Sequence, residues 1–312
     1  MYGLPMIDSI GDLSEAIRLS KGLLYKMAKY SRKFYSVFEV PKKSGGSRTI
    51  AEPGRKLKAV QAWVLREILG PLRVSRACKG FEKRQSILDN ALPHSRANAI
   101  LCLDIEDFFP SVNVSRIYRI FRLIGYNRTT AGLLTSLCTL GGSLPQGAPS
   151  SPKLANLACL RLDARLLGYA GKRGIVYTRY ADDLTFSAFS TVVLTRARWC
   201  IKQIVRDEGF ALNERKARIA GPSRRRCVTG LVLSKAGVGI GRARLREIRS
   251  KVHQLSKIPA AEVGDFALNH VSGWLAFVKG VDQDRIGMLR DYIDKLREAH
   301  PDSAIKRLKV PE

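Results

Sequence analysis

Two adjacent aspartates, Asp182 and Asp183, stand between segments that both read as β-strand, Ile175 to Tyr180 and Leu184 to Ser187. The acids fall where the strands would turn, so the pattern predicts an antiparallel hairpin with both carboxylates at its tip. Like charges held this close destabilise each other unless a cation sits between them. A divalent metal ion is the simplest resolution.

The charge balance says what such a metal would serve. Lys and Arg number 54 against 27 Asp and Glu, a formal net charge of +27. A field of that size attracts polyanions, nucleic acid ahead of anionic membrane. The 312 residues suffice for two or three domains, and the 45% apolar fraction is that of a chain with a real core. The six cysteines form no Cys-x-x-Cys unit and the four histidines are scattered, so no zinc site is expected. The first twenty residues carry Asp8, Asp12 and Glu15 rather than a basic stretch followed by an apolar one. They do not read as a signal peptide. No apolar run reaches the length of a membrane span, and the expectation is a cytoplasmic protein without a membrane partner.

Along the chain, the first thirty residues read as helical. A hairpin follows, with strands at Phe34 to Val40 and Arg48 to Ala51 and a basic, Gly-rich tip at Lys42 to Arg48. Leu57 to Leu69 reads as a helix with Leu57, Val60, Val64 and Ile68 on one face. Ala99 to Ile105 is a buried strand ending in acids. Ser151 is placed as the N-cap of a helix with Pro152 at its first position, carrying Leu154, Leu157, Ala158, Leu162 and Leu166 on one face. A further helix covers roughly Leu194 to Asp207, and strands are expected at Arg218 to Ala220 and Val228 to Leu233. The character changes near residues 235–241. Beyond it, Arg242, Arg246, Arg249 and His253 share one helical face, and Leu245, Ile248, Val252 and Leu255 another.

Phosphoryl transfer by two metal ions needs a third carboxylate from elsewhere in the chain. Asp104, at the end of the buried strand, is the best candidate; strand alternation puts Glu106 on its side and Asp107 on the other. Three stretches then agree with one family. Tyr180-Ala181-Asp182-Asp183 resembles the signature of reverse transcriptases. Asp104 with Phe108-Phe109-Pro110-Ser111 resembles their first carboxylate motif, and Leu144-Pro145-Gln146-Gly147-Ala148-Pro149-Ser150-Ser151-Pro152 resembles their substrate loop. Asn90-Ala91-Leu92-Pro93-His94 and Val228-Thr229-Gly230 resemble two elements of the retron branch, the bacterial enzymes that make branched, RNA-linked DNA.

The resemblance implies an α+β, right-hand polymerase. Its parts would be an N-terminal helical segment (1–30), fingers (31–98 and 113–150), a palm with an antiparallel sheet (99–112 and 151–236) and a helical thumb (237–312). It implies that Asp104 and Asp182 bind two Mg²⁺ ions, for which Mn²⁺ can substitute, with Asp183 assisting and the Ile105 carbonyl as a further ligand. Phe109 would be the steric gate against ribose, Gln146 and Gly147 would touch nucleotide and template, and Arg48 would bind triphosphate. Lys216 would protonate pyrophosphate, with Arg215 or a surface role as alternatives. Arg242, Arg246 and Arg249 would lie along an RNA–DNA duplex. Asn90, His94, Val228, Thr229 and Gly230 would recognise RNA or serve structure.

The implied partners are a cognate structured noncoding RNA, its branched product (msDNA), deoxynucleoside triphosphates, a separate effector protein acting in antiphage defence, and a host RNase H. Priming would come from a guanosine 2′-OH. The alternatives are an intron- or diversity-element-type reverse transcriptase, an RNA-dependent RNA polymerase, and a non-catalytic RNA-binding scaffold.

Overall fold

The computed structural model describes residues 3–42, 45–234 and 237–311. Lys43 and Ser44 of the basic hairpin tip, and Lys235 and Ala236 beside the expected change of character, lie outside the described residues. The chain forms two compact units, residues 1–86 with 99–219, and residues 87–98 with 220–312.

The first unit opens with α1 (Ile10–Ile17), whose start is fixed by a reciprocal capping box between Ser9 and Asp12, and α2 (Lys21–Lys29), capped by Ser20. The strands β1 (Tyr35–Pro41) and β2 (Ser47–Pro53) pair antiparallel from Tyr35↔Pro53 to Pro41↔Ser47. Next comes α3 (Arg55–Trp63), which runs on into a π-helical stretch at Val64–Leu69. Leu57, Val60, Val64 and Ile68 are all buried, as the periodicity predicts. The short helix α4 (Ile87–Ala91) belongs to the second unit.

The strand β3 (Ala99–Asp104) is apolar and buried along almost its whole length, because helices cover its sheet. The helices α5 (Val114–Leu123) and α6 (Arg128–Cys138) are capped by Asn113 and Asn127, each accepting from a backbone N–H of the first turn. α7 (Ser151–Ala158) and α8 (Leu160–Gly171) follow. The single helix expected here is broken at Cys159, and Ser150 rather than Ser151 is the capping position, without a side-chain bond. Then come β4 (Val176–Tyr180), β5 (Asp183–Ala188), α9 (Thr191–Asp207, capped by Ser190) and β6 (Arg218–Ala220). The sheet order is β4-β5-β3-β6, with β5 antiparallel to both β4 and β3. Leu101, Leu103, Leu184 and Phe186 of the sheet join Leu162, Leu166, Ile201 and Val205 of α8 and α9 in one core.

In the second unit the expected strand at Val228 to Leu233 is two strands. β7 (Arg226–Val228) and β8 (Leu231–Ser234) flank a two-residue turn, and β9 (Gly237–Gly239) completes an antiparallel sheet of order β7-β8-β9. Thr229 (φ 46°) and Gly230 (φ 84°) are both left-handed, the requirement of the tightest hairpin turns. Threonine is disfavoured there, which hid the turn. Three helices follow: α10 (Gly241–Leu255), α11 (Asp265–Val281) and α12 (Gln283–Ala299). Leu245, Ile248, Val252 and Leu255 of α10 are buried against Leu275, Ile286 and Ile293. The expected α+β class holds, with antiparallel sheets. No helix among the described residues is long and apolar enough to cross a membrane, and the six cysteines are free thiols.

Candidate active site

The register of the sheet brings the three acids to one end. Asp104 closes β3 directly opposite Asp183 of β5, and Tyr180↔Asp183 pairing leaves Ala181 and Asp182 as a two-residue turn. The Ile105 N–H donates to the Asp182 carbonyl at 2.9 Å, tying turn to strand. Asp104 is 8% exposed. Its carboxylate accepts from the Lys216 ammonium at 2.8 Å, and its backbone carbonyl from Asn213 N–H at 2.8 Å.

The electrostatics at this end of the sheet favour positive charge. Burial, with the nearby charge of Asp104, raises the pKa of Asp182, while Lys216 and Arg48 pull it back. Burial, then the charges of Asp182 and Asp104, push Asp183 up to about 6; its exposed side remains open to solvent, which screens part of that repulsion. Lys216 is held more firmly protonated by its bond to Asp104. The three carboxylates, gathered at one end of the sheet, form a hard-oxygen donor set suited to a divalent cation. Among the described residues no three such side chains are yet drawn into a chelating cluster. In that arrangement Lys216 supplies the compensating charge at Asp104.

The turn rests on a buried network that sequence reasoning missed. Ala181 is left-handed (φ 57°), a conformation that disfavours any residue with a Cβ. Gly80 lies so close that a Cβ there would sit 2.6 Å from the Ala181 nitrogen. Residues 77–79 run along Arg179, with Arg179 N–H donating to Ala77 at 2.8 Å and Lys79 N–H donating to Arg179 at 2.7 Å. The Arg179 guanidinium is wholly buried. It grips Asp163 of α8 through Nε at 2.9 Å and Nη2 at 2.8 Å, and donates from Nη1 to the Ala181 carbonyl and to Asn156, both at 3.1 Å. Tyr177 donates its hydroxyl to Asp163 at 2.8 Å, and Asn156 donates to the Gly80 carbonyl at 2.9 Å. The signal was faint: Asp163 stands between Leu162 and Ala164, and Arg179 lies inside a strand-like run. Their separation in sequence concealed that they meet.

Phe109 is half-buried and packs against Phe108 (5.5 Å between ring centroids) and Phe81 (6.0 Å), the latter also unforeseen. Arg48 is exposed on β2. Gln146 accepts from Ala51 N–H at 2.8 Å. Gly147 (φ 125°) presses on the same strand; a Cβ would lie 2.8 Å from the Ala51 carbonyl. The chain itself therefore demands glycine here, a reason additional to the expected approach of nucleotide.

In the second unit, Asn90 and His94 have no exposed surface, and Val228 is equally buried. Of the two expected roles, recognition of RNA or service to structure, this burial supports the structural one for these three side chains. Thr229 donates to the Ile87 carbonyl at 3.3 Å, and Gly230 is exposed. Arg242, Arg246 and Arg249 are exposed along α10, with Arg249 4.5 Å from the Tyr292 ring centroid. Arg244, not singled out by periodicity, lies 4.6 Å from the centroid of Trp274.

Burial lowers the His94 pKa from 6.5 to about 4. The unfolded chain then binds a proton that the folded one refuses between those values. His94 favours folding fully above 6.5, and that contribution is lost as pH falls toward 4. Denaturant unfolding should show about 2 kcal/mol less stability near pH 5 than near pH 7 from this residue. The same comparison in His94→Gln should lack that increment.

The family profile "Reverse transcriptase (RNA-dependent DNA polymerase)" matches residues 40–233. The Retron Ec86 reverse transcriptase of Escherichia coli is 46% identical over 311 residues, covering 99% of this chain and 95% of that one. The Retron Mx65 reverse transcriptase of Myxococcus xanthus is 35% identical over 306 residues, covering 91% of this chain and 71% of its own. The Retron Ec83 reverse transcriptase of Escherichia coli is 27% identical over 289 residues, 88% of this chain and 89% of its own.

Proposed function

The chain belongs to the retron reverse transcriptases, RNA-directed DNA polymerases that copy an RNA template with deoxynucleoside triphosphates, and from that premise we propose that it makes msDNA. It copies part of a cognate structured noncoding RNA from a guanosine 2′-OH, leaving DNA joined to RNA. The observation that carries the site assignment is the cross-strand pairing of Asp104 with Asp183 beside the Asp182 turn, with Arg48 and Lys216 acting on the same charges.

In this reading the β3–β5 sheet is the palm, the β1–β2 hairpin part of the fingers, and α10 to α12 the thumb. Asp104 and Asp182, with the Ile105 carbonyl and assistance from Asp183, hold two divalent cations, Mg²⁺ with Mn²⁺ as substitute. Cations held by these residues would supply the charge that favours ionisation of an attacking hydroxyl and departure of pyrophosphate. Arg48 orients the triphosphate. Lys216, kept protonated beside Asp104, holds the proton that pyrophosphate takes as it leaves. Phe109, braced by Phe81 and Phe108, blocks a ribose 2′-OH. Gln146 and Gly147 border the nucleotide and template. Arg242, Arg246 and Arg249 contact phosphates, which positions a duplex without reading sequence. A separate effector, antiphage defence and removal of template by host RNase H rest on the retron resemblance alone.

The nucleic acid that co-purifies with the protein tests this reading. DNA that stays attached to RNA after proteinase treatment, and is released by a 2′-debranching enzyme, is the expected product. Linear DNA alone, or RNA alone from cells that supply the cognate noncoding RNA, would contradict it.

A further inference from the structure

We propose that a cavity of the second unit, distinct from the candidate polymerase centre, captures one unpaired nucleobase of the RNA. The proposal rests on reading the chain as an RNA-copying polymerase. The cavity measures about 610 Å³ and lies between the β7–β8 turn, α10 and α11. That is room for a flat heterocycle. Thr229, Gly230, Arg244, Asn269, Gly273 and Trp274 line it, with Phe277 at the back.

Its walls have the chemistry of base stacking. Trp274 and Phe277 meet edge to face at 5.8 Å and 89°. Trp274 donates its indole N–H to His270 at 3.3 Å, which fixes the ring. The planar guanidinium of Arg244 lies 4.6 Å from the indole centroid. Aromatic rings interleaved with arginine are what sequence-tolerant single-strand binders offer to bases. Asn269 is exposed at the rim, and its side-chain amide bonds to no described residue. It is free to pair with a base edge. The exposed faces of α10 carry Arg242, Arg244, Arg246 and Arg249 against Glu247 alone, a complement to the phosphates that flank a captured base.

Two residue choices shape the wall of the cavity. Gly273 sits in the interior of α11, where glycine weakens a helix relative to alanine. A Cβ built there meets nothing within 4 Å. Close packing therefore does not require glycine, and the space in front of it is open. Thr229 is a β-branched residue held at φ 46°, a strained conformation, with its hydroxyl bonded to Ile87. Both choices keep the cavity wide and its rim fixed.

The test measures affinity of the full chain for a labelled single-stranded oligoriboadenylate, with a fully paired RNA duplex of equal length as comparison. Gly273→Leu projects a bulky side chain into the cavity while adding helix propensity. It should weaken single-strand binding roughly tenfold, as loss of one base stack does, without changing the salt slope. Trp274→Ala should do the same. Arg244→Ala should also lower the slope by about one unit, whereas Arg244→Lys should keep the slope and still lose affinity. Duplex binding should be insensitive to Gly273→Leu.

Wild-type affinity in Gly273→Leu, or an equal loss for duplex and single strand, would overturn the proposal. An oligodeoxyadenylate bound as tightly, and weakened as much, would overturn RNA as the occupant. Should Trp274→Ala not fold, Gly273→Leu alone decides. Wild-type extension of oligo(dT) on poly(rA) separates the two readings. Its absence defeats the polymerase assignment, whereas extension together with an unaffected Gly273→Leu defeats only the pocket.

Discussion

Asp182→Asn is expected to reduce DNA synthesis by at least about a thousandfold, the scale of losing metal-assisted charge stabilisation, while RNA affinity stays near wild type. The substitution is nearly isosteric. It keeps the turn's backbone bond from Ile105 N–H to the residue-182 carbonyl and removes one charge from a cluster already short of positive partners. Relieving that repulsion should leave the fold unharmed or slightly more stable. Activity and stability therefore move in opposite directions, which a purely structural role for Asp182 would not produce. Primer extension beside a thermal melt reads both.

Arg179→Met should destabilise the first unit by about 3–5 kcal/mol, the usual consequence of stripping one partner from a buried ion pair. In a unit of this size that lowers the melting temperature by roughly 10 °C. Asp163 would remain buried with Tyr177 as its hydroxyl donor, without the two guanidinium bonds that balance its charge. Adding Asp163→Leu should restore much of the stability, because both charges are then gone. It should not restore synthesis. The double variant still lacks the bonds from Arg179 to the Ala181 carbonyl and to Asn156, which hold a left-handed turn beside Gly80. Recovery of stability and activity together would reduce the pair to a folding device. Recovery of stability alone assigns it the placing of Asp182.

What could be read from sequence followed locality. The Asp182-Asp183 hairpin was legible because period-two strands flank it, and α10 because its buried and basic positions recur at helical spacing. The break at Cys159 was not, since the apolar face continues across it. Nor was the Thr229-Gly230 turn, where tertiary contact with Ile87 offsets a poor turn residue. The segment Ile87–Asn98 packs with strands more than a hundred residues later, so sequence left open whether Asn90 and His94 meet RNA or the interior, and they are interior. Every missed site residue is of this long-range kind. Arg179 meets Asp163 across α8, Phe81 meets Phe109, and Arg244 meets Trp274 of another helix. Periodicity assigns a face to each residue but not the partner waiting on it.

The central claim is that Asp104, Asp182 and Asp183 form a cation-dependent centre for copying RNA into DNA, gated by Phe109. Extension of oligo(dT) on poly(rA) by the wild-type chain, with dTTP or UTP and with Mg²⁺, Mn²⁺ or chelator, tests it most directly. The expected result is extension with dTTP that requires a divalent cation and is lost with UTP. Incorporation that persists in chelator, or equal use of both nucleotides, would contradict the account.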